Sequence, residues 1–102
     1  MSYLATAVAV GTTFSAPGTG PEIFVQGGVN ISLGAFEGGV KLQRQDSTGA
    51  WMDVARDSAG TPLAWTSGGF ALAWAEQGMR GAFYRLVCTS LTSGIPYCEL
   101  ST

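Results

Sequence analysis

Val40-Lys41-Leu42-Gln43-Arg44-Gln45-Asp46-Ser47-Thr48-Gly49-Ala50-Trp51 is the stretch that decides the fold. Val40 and Leu42 are apolar and Lys41 and Gln43 are polar. That period-two pattern is the mark of a half-buried strand. Asp46-Ser47-Thr48-Gly49 has turn chemistry, because Asp and Ser side chains bond back to nearby backbone and Gly takes conformations other residues avoid. Residues 51–55 then return as the second arm of a hairpin, with Trp51 expected in the core.

The same reading extends in both directions. Val29-Asn30-Ile31-Ser32-Leu33 alternates cleanly, and Phe70-Ala71-Leu72-Ala73-Trp74 alternates large with small. Residues 22–26, 62–66, 82–89 and 95–101 complete about seven to eight short strands, preceded by an Ala-rich, β-branched segment at residues 4–10. Gly-, Pro-, Asp- and Ser-rich turns separate them every 8–12 residues, and no segment holds a helical apolar spacing. The expected fold is all-β: an immunoglobulin-like or jelly-roll-like β-sandwich. Residues 1–21 are expected as an extended N-terminal strand or arm and residues 22–102 as the sandwich, in one domain overall. A final hairpin is expected around Leu91-Thr92-Ser93-Gly94, with Cys88 and Cys98 on either side of it. The core is expected to hold Val40, Leu42, Trp51, Trp74, Tyr84, Leu86 and Cys88.

Charge limits what such a sandwich does. Charged residues make up 12% of the chain, against about 25% in an average soluble domain. Residues 1–21, 58–75 and 86–98 carry none. Soluble monomers normally spread mixed charge over their surface, so long uncharged stretches predict surface covered by a partner. The five cations, Lys41, Arg44, Arg56, Arg80 and Arg85, form no stripe, so no nucleic-acid partner is expected. No apolar run is long enough for a membrane helix. The N-terminus lacks the basic start of a signal peptide, which predicts synthesis in a cytoplasm. There the two cysteines are expected as small buried hydrophobes, with a disulfide as the alternative.

The chain contains no histidine, which removes the commonest general base and metal ligand. The seven acidic residues fall mostly in or beside predicted turns, where Asp caps backbone and Glu is solvated. Asp46 to Trp51 resembles the Asp-box turn of sialidase-type propellers, but its glycine stands one place late and the motif occurs once. A hairpin turn accounts for it. The expectation is a binding protein rather than an enzyme, without metal or cofactor. Tyr3, Leu4, Val8, Val10 and Phe14 in the arm, and Trp65 on the short strand after Pro62, are the candidate contact residues.

Val40-x-Leu42-Gln43-Arg44, the acidic turn and Gly49-x-Trp51 are followed by Tyr84-Arg85-Leu86-x-Cys88-Thr89 and Thr92-Ser93-Gly94. In that order and spacing they resemble a group of small tailed-phage virion proteins, over roughly residues 29–102. The resemblance implies a structural protein of the particle. It would decorate or cement the capsid surface by binding the major capsid protein lattice, with copies of itself as further partners and a homotrimer as the expected oligomer. The alternatives are a tail, connector or fibre component, or a carbohydrate-binding or adhesion module with Trp65 and Phe70 or Tyr97 as its platform.

Overall fold

The structure is a computed structural model that describes residues 9–55, 59–75 and 81–102, apart from the side chains of Phe70, Trp74 and Ala75. Nine strands occur among these residues: β1 (Ala9–Thr13), β2 (Gly18–Val25), β3 (Gly28–Leu33), β4 (Glu37–Gln45), β5 (Trp51–Asp53), β6 (Ala64–Ser67), β7 (Phe70–Ala75), β8 (Ala82–Ser93) and β9 (Tyr97–Ser101). The all-β sandwich expected from the alternation is what the chain forms. Tyr3, Leu4 and Val8 lie outside the described residues.

The pairings are nested around the Asp46 turn. On the near side of it, β4 pairs with β5 and β6, which lie end to end along β4. Moving outward, β3 pairs with β7, β2 with β8 and β1 with β9. The chain is thus one long hairpin, and it rolls up until β9 also meets β3 and β8 also meets β4. The product is a four-stranded sheet, β1-β9-β3-β7, facing a second sheet ordered β2-β8-β4-β5 with β6 beside β4. All pairs are antiparallel. This order is the jelly roll. In the immunoglobulin fold the first strand lies on the sheet of the second, whereas here it lies beside the last.

Two expectations change with this topology. The segment assigned to an arm enters the sandwich at Ala9: β1 is an edge strand of one sheet and β2 an edge strand of the other. Its Gly and Pro content reflects an edge, since β2 carries Pro21 and a register shift between Thr19 and Glu22. The last two strands do not form a hairpin, because β8 runs on through Ser93 and the chain then crosses to the other sheet. Gly94 adopts φ +93°, and the fully buried Pro96 has no N–H to extend a ladder. The Pro96 carbonyl instead accepts from Phe14 N at 2.9 Å.

The core fills the space between the sheets. Val29, Ile31 and Leu33 of β3 alternate inward, as do Val40 and Leu42 of β4 and Tyr84, Leu86 and Cys88 of β8. Ile23, Val25, Cys98 and Leu100 join them. Each fully buried aliphatic side chain contributes about 1.5–3 kcal/mol. Both cysteines are free and buried, and burial pushes each thiol upward in pKa. They come from opposite sheets, which explains why they fill the core rather than face one another across a hairpin.

Local chemistry sets the central turn. The Asp46 carboxylate accepts from Thr48 Oγ1 at 2.6 Å, Thr48 N at 2.8 Å and Ala50 N at 3.0 Å. Gln45 Nε2 closes the loop by donating to the Gly49 carbonyl at 3.1 Å. A second special point is Gly38, at φ +155° between the register shifts that bend β4 along β8. A side chain there would collide with the Ser90 carbonyl.

Candidate interaction surfaces

Among the described residues no three His, Cys, Asp or Glu side chains gather as metal ligands would, and no helix is long and apolar enough to cross a membrane. The candidate contact surfaces are the two outer faces of the sandwich.

The outer face of the five-stranded sheet follows from the alternation that buries Val40 and Leu42, which turns Lys41, Gln43 and Gln45 outward. The turn register places Gln43 opposite Asp53 and Gln45 opposite Trp51, while Gln43 also faces Arg85 on β8. The side chains interlock. Lys41 Nζ lies 3.0 Å from Asp53 Oδ1, and Gln43 Nε2 donates to the same oxygen at 3.0 Å. The Gln43 Oε1 accepts from Arg85 Nε at 2.9 Å. The Arg85 guanidinium then sits 4.1 Å from the centroid of the Trp51 ring. These bonds, from Gln43 first and Lys41 second, hold the Asp53 carboxyl below its ordinary pKa. Beside them Phe24 and Phe83 meet edge-on, with centroids 5.3 Å apart.

Trp51 is therefore not in the core. It shares its face with Gln45, because the pair flanking the turn must point the same way. Trp65 takes the inward place: it lies opposite Val40 on β6 and packs against the buried cluster. Trp51, expected in the core, thus faces outward, and Trp65, a candidate contact residue, packs inward. A sugar platform combining Trp65 with Tyr97 does not form, since β6 and β9 belong to different sheets.

The outer face of the four-stranded sheet is built differently. Its rows read Ala9, Ser101, Asn30, Ala73, and then Gly11, Glu99, Ser32, Ala71. Glu99 is the one charged residue in these rows. Tyr97, opposite Thr13, is 54% exposed. Its ring lies across Gly11, where any Cβ would strike it, and its hydroxyl donates to Glu99 Oε2 at 3.4 Å. On the inner side of this sheet one row reads Val10, Leu100, Ile31, Leu72. Leu100 and Ile31 are buried, while Val10 is half-buried and Leu72 is 42% exposed at the other end.

The remaining contact candidates fall to the core. Phe14 is 5% exposed, part of the buried cluster, and Val10 packs against it. Val40, Leu42, Tyr84, Leu86 and Cys88 are buried. The side chain of Trp74 lies outside the described residues. The sequence reading missed the Lys41–Asp53–Gln43–Arg85–Trp51 chain. Its signal is the outward spacing of Lys41 and Gln43 together with a turn length that carries Trp51 onto their face.

Strand order and core thus define a jelly-roll sandwich. No protein-family model and no curated protein matches the sequence. Among solved structures, the chain is similar to the crystal structure of SPBc2 prophage-derived protein YomS. The likeness covers 97% of this chain and 98% of that one, with a TM-score of 0.64 and 11% sequence identity. At that identity it speaks for the fold alone.

Proposed function

We propose that the chain is a non-catalytic structural protein of a tailed-phage particle, made in the host cytoplasm. In this reading it decorates or cements the capsid by binding the major capsid protein lattice, with other copies of itself as neighbours. One observation carries the reading: the outer face of the four-stranded sheet, whose rows hold small residues and a single charge, Glu99. Charged side chains resist desolvation, so a face nearly free of them is suited to burial against another protein. Jelly rolls recur in viral capsid proteins, and a prophage-derived protein shares the fold along nearly its whole length. Capsid positions repeat by symmetry, and a homotrimer fits a local three-fold site.

The test is deletion of the gene from the phage that carries it. Particles without the protein are expected to lose infectivity faster on heating or osmotic shock, and to regain resistance when purified protein is added back. Particles equally resistant with and without it would overturn the capsid reading. Removing residues 1–8 probes the leading segment while sparing β1. A deletion to Gly20 takes β1 entirely, with the start of β2, and tests folding instead.

A further inference from the structure

The four edges of the sandwich are not alike. On the five-stranded sheet, β2 is interrupted by Pro21 and a register shift, and the opposite edge is split into the short β5 and β6. Proline, bulges and short strands are the devices by which sheets avoid pairing with other chains. Among the described residues the edges of the four-stranded sheet carry no proline and no register shift. Its edges are β7, six residues in unbroken register with β3, and β1, five residues in unbroken register with β9. Neither strand contains a charge or a proline.

We propose that this sheet continues from one copy of the chain to the next, by antiparallel pairing of β7 with β1 of a second copy. Two features commit the partner to another copy. The sheet has four strands, all antiparallel, so its two edges run in opposite directions. A copy rotated about an axis along the strands therefore brings β1 beside β7 in antiparallel sense, and such head-to-tail contacts close into rings. The rows also match. At equal height Ala73 meets Ala9 of the next copy and Ala71 meets Gly11, small against small. On the inner side the exposed Leu72 meets Val10 of the next copy, which covers the two open ends of the Val10–Leu100–Ile31–Leu72 row. This deepens the self-association named above, but it rests on the sheet alone and is tested without phage.

The experiment is disulfide trapping in purified full-length protein, with Ala9→Cys and Ala73→Cys made singly and together. Under mild oxidation the double variant is expected to yield covalent dimers and higher species in denaturing gels, and each single variant to stay monomeric. The native Cys88 and Cys98 are buried and stay unreacted. Leu72→Lys, which places a charge at the joint but at an already open position, is expected to reduce the oligomer to monomer in sedimentation while the circular dichroism of the β fold is retained. Cross-linking by Ala73→Cys alone would mean that β7 pairs with itself and would overturn the proposal. A wild-type chain that remains monomeric at high micromolar concentration would do the same.

Discussion

The two outer faces of this sandwich are made from the same backbone pattern and carry different side-chain chemistry. On the five-stranded sheet, long side chains reach sideways and satisfy one another: Lys41 with Asp53, Asp53 with Gln43, Gln43 with Arg85, and Arg85 with the ring of Trp51. On the four-stranded sheet the corresponding positions hold mostly Ala, Gly, Ser and Asn, and the side-chain contact across them is that of Tyr97 with Glu99. A face that binds its own side chains has less to offer a partner, since those contacts must be undone first. A face of short side chains loses little rotamer entropy on being covered. In the proposed reading the five-stranded face serves the stability of the fold and the four-stranded face serves contact.

The contrast is easiest to break at Trp51. Trp51→Ala removes a half-buried ring and its contact with the Arg85 guanidinium, and is expected to cost roughly 2 kcal/mol of unfolding free energy in urea titrations. It should leave any oligomer intact. If it instead disperses the oligomer without loss of stability, the assignment of the two faces is reversed. A finer cut is the double-mutant cycle between Arg85 and Trp51, expected to give a coupling of about 0.5–1 kcal/mol. A coupling near zero would mean that the stacked geometry adds nothing.

Acid reaches the same face more gently. Hydrogen bonds from Thr48 to Asp46, and from Gln43 and Lys41 to Asp53, favour the ionised carboxylates and hold both pKa values below the ordinary one. The folded state thus releases these protons more readily than the unfolded chain does. Their stabilisation is present above about pH 4 and fades as pH falls through the lowered values. Thermal unfolding should show a flat Tm near neutrality and a decline below about pH 4. Asp53→Asn should make that decline shallower, and an unchanged slope would contradict the linkage. The smallest effects belong to the other face. Ser32→Ala and Ser101→Ala should change monomer stability by less than about 0.5 kcal/mol, measured in the Leu72→Lys background.

Much of this architecture is written locally, and the rest is not. The alternation in residues 29–33 and 39–45 correctly assigns the inward residues of β3 and β4, and the Asp46 turn marks the point about which the whole chain is folded. Strand order is another matter. Nothing within residues 9–13 indicates pairing with residues 97–101, because that contact exists only once the long hairpin has rolled. The β8–β9 crossing was hidden for a related reason: Gly94 and Pro96 suit a hairpin turn and a sheet-to-sheet passage equally well. Trp51 and Trp65 show the cost of reading composition before register. Both are large and apolar, yet the turn length turns one outward while the pairing with Val40 turns the other in.

The central claim is that the four-stranded sheet is the surface through which this protein is built into a particle. Electron cryomicroscopy of the phage particle proposed to carry the protein tests it directly. The account predicts density for this jelly roll on the outside of the head, with β1, β9, β3 and β7 buried against neighbouring protein and the Trp51 face toward solvent. A map that places the chain with its Trp51 face buried and its four-stranded sheet bare, or finds no copy in the particle, would contradict it.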